Sequence, residues 1–257
     1  MREDPRWQRW ARVRRSLWQP PRPHGEAPRE RVVGPLELFY DLVVVVLVAQ
    51  AAHHLSGDLT GSGLGEFTAI FTLVWIAWAN GSLHHELHGR DDARARSTFL
   101  LQIVVLAAMG AFIPQAGGAR GAAFAVAAAV LFAVLALLWL LAARGDRPEY
   151  RRASRLFVAG TVACAILLAA TALLPASARI PAWGLIDVAY LAGFAAVLAA
   201  AMLLATSLPG WDRDRGLYRP LARMCAAAAV ACLGLGAARP SPLLLGLALV
   251  VLLSIPW

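Results

Sequence analysis

Residues 34–55 read GPLELFYDLVVVVLVAQAAHHL, and this stretch decides the fold class of the chain. A helix that crosses a bilayer needs roughly 17–25 mainly apolar residues, and the stretch has that length and character. It nevertheless carries five polar side chains, which are Glu37, Asp41, Gln50, His53 and His54. Such side chains are costly inside a membrane. Where they lie relative to the bilayer depends on the topology of the whole chain.

The composition indicates a membrane protein built from helices. Of the 257 residues, 59% are hydrophobic, against about 45–50% in an ordinary soluble domain. The excess lies in long blocks without charge, separated by short charged or Pro/Gly-rich gaps. Since lipid offers no hydrogen-bond partners, such blocks satisfy their backbone groups as helices, and the two-residue alternation of a membrane β-barrel is absent. We therefore predict an all-α fold, a polytopic transmembrane helical bundle.

A polar N-terminal tail precedes eight apolar segments. The tail, residues 1–31, is rich in Arg, Trp and Pro, and we expect it to be partly disordered or interfacial. Residues 32–257 form the predicted transmembrane domain. Its apolar segments are 36–55, 67–83, 99–113, 122–143, 156–174, 182–208, 221–238 and 243–255. The third and eighth are short for a bilayer core about 30 Å thick, and the sixth is long. The last segment ends at the last residues given, as expected for a chain that stops at the membrane surface or belongs to a longer protein.

The distribution of arginine predicts the orientation. With a cytoplasmic N-terminus, 21 of the 24 arginines lie in or beside the cytoplasmic segments and 3 lie outside. This bias is the positive-inside pattern, so we expect a multi-pass protein of the bacterial cytoplasmic membrane. Its expected partners are the lipid bilayer and, for the tail, anionic lipid headgroups. The net charge of +8 follows from this topology, and no nucleic-acid partner is expected.

Two acids lie one helical turn apart at the cytoplasmic end of the first segment. Glu37 follows Pro35 closely, and an acid in the first turn complements the helix dipole, which is a sufficient explanation for it. Asp41 lies one turn deeper, so we expect it to make a polar contact inside the bundle. The histidine pair of this segment, His53 and His54, falls at the opposite surface, where we expect it to be interfacial.

A second polar cluster follows the second apolar segment. Its residues are His84, His85, Glu86, His88, Asp91 and Asp92. His84 and His88 are spaced to share one metal ligand set, with Glu37 or Asp41 as further ligands. The alternative is a solvated loop whose acids pair with neighbouring arginines. The sequence leaves both readings open.

Asp187 is the remaining acid within an apolar segment. It lies five residues into the sixth segment, so we expect it near the outer face, either interfacial or lining a cavity. Tyr190 is one turn away and is a candidate hydrogen-bond partner. The three cysteines lie in apolar blocks without a CxxC spacing, and we expect them to act as small apolar side chains.

The first three segments resemble the bacterial low temperature requirement protein A family. The E-L-F-x-D-L run with its polar end is matched by Glu37, Phe39, Asp41, Gln50, His53 and His54. Later positions of the family pattern are matched by Trp78, Ser82, Asp91, Asp92, Gln102, Met109 and Pro114. The resemblance covers residues 31–143, and more loosely extends to 175. It implies an integral membrane protein whose molecular activity is unassigned.

Three classes of function are compatible with these residues. The favoured one is transport or proton-linked exchange of a small solute through a polar cavity lined by buried acids. The candidates for that lining are Glu37, Asp41, Gln50, His53, His54, Ser82, Asp91, Asp92 and Asp187. The alternatives are a membrane-embedded metal-dependent enzyme that uses His84 and His88, and a non-catalytic membrane assembly or stress factor. No cofactor is implied, and the sequence gives neither the solute nor the oligomeric state.

Overall fold

The part of the chain that the computed structural model describes is entirely helical or irregular. It comprises Trp10 and residues 19–23, 34–90, 92–148 and 150–205, with side chains as far as residue 196. The helices are α1 (Pro35–Gly57), α2 (Gly61–His88), α3 (Ala93–Phe112), α4 (Gly121–Ala143), α5 (Arg151–Thr171) and α6 (Ala176–Ala205). They correspond to the first six predicted segments, so the all-α fold is confirmed for these ranges. The predicted segments 221–238 and 243–255 lie outside the described residues.

Polar caps extend the helices beyond their apolar runs. The Thr60 hydroxyl accepts a hydrogen bond from the Gly63 N–H (3.1 Å) at the start of α2, and Asp92 Oδ1 accepts one from the Ala95 N–H (2.9 Å) at the start of α3. These side chains satisfy N–H groups that a helix start otherwise leaves unpaired. The gap 84–98 between the second and third predicted segments is thus mostly helix, since α2 extends to His88 and α3 begins at Ala93.

Two further predicted boundaries are corrected by the structure. The third span was expected to be short, but α3 and the 3₁₀ turn Ile113–Gln115 together cover 23 residues, which is enough to cross a bilayer. The sixth was expected to begin at 182, but α6 begins at Ala176 and includes Pro181. Hydropathy missed this start because the first turns of α6 contain Arg179 and proline, which apolar-run counting excludes.

The six helices pack in the order α1, α3, α4, α5, α6, α2 around the bundle, with α2 closing against α1. The α2 and α4 helices also meet across this arrangement and divide it into two halves. One end of the bundle carries residues 84–98 and 144–155 with most of the described arginines, and we call it the Arg-rich end. The other end carries the connections 58–60, 113–120 and 172–175, and we call it the Arg-poor end.

The outer faces of the helices are apolar. Large hydrophobic side chains such as Leu42, Val104 and Ile166 are more than half exposed, and helices α1 and α3–α6 all contribute to this surface. Among the described helices, five are long and apolar enough to cross a membrane by length and composition. A surface of this kind is unfavourable in water and suits lipid. The described part of the chain is therefore a multi-pass membrane bundle.

A glutamate that the sequence did not single out holds the Arg-poor end together. Glu66 Oε1 accepts a hydrogen bond from the Gly117 N–H (2.8 Å), which joins α2 to the 113–120 connection. His54 Nε2 lies 3.7 Å from the same carboxylate oxygen. A Cβ atom at Gly117 would crowd the end of the Glu66 side chain, so glycine there leaves room for the close approach.

We expect Glu66→Ala to loosen the 113–120 connection because it leaves the part-buried Gly117 N–H without its acceptor. Amide hydrogen exchange of a peptide covering this connection should accelerate about tenfold, the factor that one lost hydrogen bond corresponds to. The matched variant Glu66→Gln keeps an acceptor oxygen and should exchange like the wild type. Equal exchange in all three proteins would contradict this role for Glu66.

Candidate functional site

Asn80 lies at the centre of a buried hydrogen-bond network that joins four helices. Its Oδ1 accepts a hydrogen bond from the indole N–H of Trp139 on α4 (2.6 Å), and its Nδ2 donates to the hydroxyl of Tyr190 on α6 (2.5 Å). The Tyr190 hydroxyl lies 3.1 Å from the hydroxyl of Thr161 on α5. Since both groups of the amide are engaged, Asn80 fixes the point where α2 and α4 meet.

The two histidines that follow Asn80 on α2 are buried. His84 is 7% exposed and His88 is 2% exposed. Their rings pack edge-on against the Trp139 indole, each with a centroid separation of 5.3 Å. The solvated-loop reading of this cluster is wrong for these two residues, because α2 continues through them and Trp139 covers them.

A polar cavity of about 20 Å³ lies beside His84, between α2, α3 and α4. A cavity that holds one water molecule needs roughly 10–15 Å³ of space for the water's centre. This cavity therefore has room for a single water. Among its lining residues, His84 Nε2 and Gln102 Oε1 are buried polar atoms without a hydrogen-bond partner. The Tyr40 hydroxyl is a third such atom. A Cβ atom on Gly81 would lie 2.8 Å from Gln102 Oε1 and 2.9 Å from that hydroxyl, so glycine leaves the room that these groups share.

Asp187 is the most unusual acid in the described part of the chain. It is 3% exposed, and neither of its carboxyl oxygens has a hydrogen-bond partner. It was expected near the outer face, but α6 begins at Ala176, which places Asp187 roughly 16 Å along the helix. The predicted bond from Tyr190 is also wrong, because the Tyr190 hydroxyl contacts Asn80 and Thr161 instead.

These groups form a line of polar side chains from the middle of the bundle to its Arg-rich end. We call it the polar column, and it consists of Asp187, Tyr190, Asn80, His84 and His88. Asp187 and Tyr190 are one turn apart on α6, and the other three are spaced by single turns on α2. The column offers carboxyl, hydroxyl and imidazole groups, which accept and donate protons, inside otherwise apolar helices.

The acids at the start of α1 lie beside the column. Asp41 is half-buried and accepts a hydrogen bond from the indole N–H of Trp78 on α2 (2.8 Å). Glu37 is half-buried in the first turn of α1, with Pro35 at the start of that helix. Neither acid lines the cavity beside His84. Asp41 therefore joins α1 to α2 rather than facing that cavity.

The other predicted site residues are scattered. Gln50, His53 and His54 are exposed at the Arg-poor end of α1, the opposite end of the bundle from His84 and His88. Ser82 is half-buried on α2, and Asp92 is buried at the start of α3. Asp91 lies outside the described residues. The predicted set thus does not form one site.

Within the described ranges, no group of three or more His, Cys, Asp and Glu side chains is placed to hold a metal ion. His84 and His88 contact each other, with ring centroids 5.5 Å apart. Within the described residues no third candidate ligand completes a metal site with them. The metal-dependent enzyme hypothesis has no ligand set in this part of the structure.

A bundle of apolar helices around a buried polar column defines a multi-pass membrane protein with an intramembrane polar site. Residues 32–197 match the family model of the bacterial low temperature requirement A protein (LtrA), and the chain belongs to that family. The match confirms the resemblance and extends it through most of α6. No curated protein and no solved structure matches the chain.

Sequence reasoning missed Asn80, Trp139 and the partner of Tyr190. One signal was available, because Asn80 is the only asparagine in the chain and stands inside an apolar run. A buried amide in such a run requires polar partners from neighbouring helices. The identity of those partners depends on helix rotation, which no local pattern reveals. Asp146 was missed for the same reason; it is buried and accepts a hydrogen bond from the Ser154 hydroxyl.

We expect Asn80→Ala to destabilise the bundle strongly. The change leaves the Trp139 N–H buried without an acceptor and removes one partner of the Tyr190 hydroxyl. Each such loss costs roughly 1–3 kcal/mol, so the free energy of unfolding should fall by about 2 kcal/mol or more. Equilibrium unfolding in mixed micelles would measure it. The control Ser97→Ala removes an exposed hydroxyl that bonds only within α3 and should stay within about 0.5 kcal/mol of the wild type. Similar stabilities for the two variants would refute the role of Asn80.

Proposed function

We propose that this protein exchanges protons for a small solute across the bacterial cytoplasmic membrane, with Asp187 as the proton-binding group. The observation that carries the proposal is the burial of Asp187 with both carboxyl oxygens unpartnered. An acid within a membrane bundle is costly and by default marks a functional site. An acid with a purely structural role would be expected to have hydrogen-bond partners, as Asp41, Asp92 and Asp146 do.

The surroundings of Asp187 support a group that is neutral in one state and charged in another. A neutral carboxylic acid is far less costly to bury in apolar surroundings than a carboxylate. In the described state neither carboxyl oxygen of Asp187 has a hydrogen-bond partner. We propose that the acid carries a proton in this state. Release of that proton requires water or a solute cation to reach the carboxylate. Proton binding and solute binding at one acid would then exclude each other, which is the basis of exchange.

Three groups of the polar column that can hold or pass a proton lie between Asp187 and the Arg-rich end, namely Tyr190, His84 and His88. Tyr190 lies one turn from Asp187, and Asn80 holds its hydroxyl in place. His84 follows on α2 and faces the cavity that has room for one water. Imidazole, hydroxyl and water groups can each pass a proton on. The cavity is too small for a larger solute, so in this conformation it serves the proton alone.

The orientation and extent of the membrane domain are part of the same proposal. The distribution of 21 and 3 arginines supports a cytoplasmic Arg-rich end, with 1–31 as a cytoplasmic tail that contacts anionic headgroups and 32–257 as a domain of eight spans. Protons released along the column would therefore enter the cytoplasm.

We expect Asp187→Asn to abolish proton-linked exchange while the protein still inserts. Everted membrane vesicles that hold a respiration-driven pH gradient would be probed with a ΔpH-sensitive dye during addition of Na⁺, K⁺ or Ca²⁺. Any solute that collapses the gradient with the wild type should have no effect with Asp187→Asn, because an amide cannot carry the proton. The control His53→Gln changes an exposed histidine at the Arg-poor end and should exchange normally.

Two results would count against this function. Normal exchange by an inserted Asp187→Asn variant would remove Asp187 from the mechanism. Loss of membrane abundance in Asp187→Asn, with no solute response from the wild type, would favour the non-catalytic assembly role.

The orientation has its own test. Reporter fusions at residues 118 and 145 should be active on opposite sides of the membrane, with alkaline phosphatase active at 118 and green fluorescent protein fluorescent at 145. The positive-inside bias is the physical reason for this expectation. The reverse pattern would turn the bundle over and direct the polar column to the outer surface.

A further inference from the structure

The N-terminal segment 19–23 lies across the Arg-rich end of the polar column. Its sequence is QPPRP, and we call it the strap. We propose that the strap is a lid that closes the polar column to the cytoplasm and detaches to let protons pass. The inference rests on the proposed function, since it concerns regulation of the same site.

The strap binds the last turn of α2 through His88. The Arg22 N–H donates to the His88 carbonyl (3.1 Å), and His88 Nδ1 lies 2.7 Å from the Arg22 carbonyl. The Arg22 guanidinium also donates from Nη2 to the Glu86 carbonyl (2.8 Å). His88 is the terminal member of the polar column, so both its backbone and its ring are occupied by the strap.

Two charged side chains hold the other end of the strap. The Gln19 N–H donates to Asp92 Oδ2 (2.8 Å), and Arg90 Nε donates to the Pro20 carbonyl (2.8 Å). The same Asp92 carboxylate uses Oδ1 to cap α3. Hydrogen bonds that involve a charged group are stronger than neutral ones, so this end is firmly held.

The composition of the strap suits a segment that docks and detaches as a unit. Three of its five residues are proline, which fixes φ. The undocked segment therefore has a low conformational entropy. The small loss of conformational entropy on docking makes a few hydrogen bonds sufficient to hold it. Its bonds lie at one end of the bundle and none of them belongs to the helix packing.

The strap also forms part of the cavity wall. Gln19 lines the cavity beside His84, together with His88, Asp92 and Thr98. Removal of the strap would therefore open the cavity towards the Arg-rich end. Gln19 is the strap residue in this wall, so the strap forms one part of the cavity's Arg-rich side.

The first test measures access to the cavity. In a variant without the native cysteines, Thr98→Cys provides a reporter, and a small membrane-impermeant methanethiosulfonate reagent is applied from the Arg-rich side. Asp92→Asn keeps an oxygen to cap α3 but offers an amide N–H₂ to the Gln19 N–H, so it loosens the strap. We expect Asp92→Asn combined with Arg22→Ala to raise the labelling rate about tenfold or more, as loss of such bonds implies. The control Arg147→Ala changes an exposed arginine at the same end and should leave the rate unchanged.

The second test locks the strap. Gln19 and Ala95 both donate their backbone N–H to the Asp92 carboxylate, so Gln19→Cys and Ala95→Cys lie within reach of a short, reducible bifunctional thiol reagent. We expect the cross-link to stop proton-linked exchange in vesicles and reduction to restore it. Each single-cysteine variant treated with the reagent is the matched control.

The outcomes separate the lid from the proposed function. Faster labelling in the loosened variant and reversible inhibition by the cross-link support the lid. Unchanged labelling in that variant, or full exchange with the strap cross-linked, would overturn it. If the wild type shows no proton-linked exchange with any solute, the proposed function fails, while the labelling rates still decide whether the strap covers the cavity.

Discussion

The contact of Asn80 with Trp139 and Tyr190 is the interaction on which the arrangement of the bundle depends. Apolar surfaces of helices in lipid gain nothing from water exclusion, so packing and polar contacts decide how helices meet. A single amide with partners on two other helices fixes the rotation of α2 against α4 and α6. That rotation in turn directs His84 and His88 onto the Trp139 indole. The position of the polar column follows from it.

The buried polar groups of the described residues fall into two classes, those with hydrogen-bond partners and those without. Asn80, Asp41 and Asp92 are bonded to neighbouring helices or caps, and they account for the stability of the arrangement. Asp187 and His84 retain buried atoms without partners. Evolution tolerates such costs where a group must change its protonation or its ligand. The two kinds of group lie within a few helical turns of each other, so the bonded network sets where the unpartnered groups lie.

The sequence predicted the helical bundle, the family and the separation of the two histidine pairs, because these depend on hydropathy and on alternating helix direction. Helix ends were predicted less well, since Thr60 and Asp92 cap turns that contain few apolar residues. The prediction that Tyr190 bonds Asp187 was wrong. It considered only neighbours on the same helix, whereas the Tyr190 hydroxyl bonds Asn80 on another helix. The docking of residues 19–23 could not be predicted, since its bonds are mostly made by backbone atoms. Backbone atoms carry no sequence pattern from which a long-range contact can be inferred.

The proline inside α6 has a mechanical consequence for the two ends of the bundle. Pro181 has no N–H to offer the carbonyl one turn earlier, so the first turn of α6 is joined to the rest by one hydrogen bond fewer. On one side of this weak joint, Arg179 donates to the Gly118 carbonyl and ties the turn to the 113–120 connection. On the other side, the Trp183 indole donates to the Thr171 hydroxyl and anchors the helix body. A displacement of the 113–120 connection would therefore bend α6 at Pro181 before it reached the turn that carries Asp187.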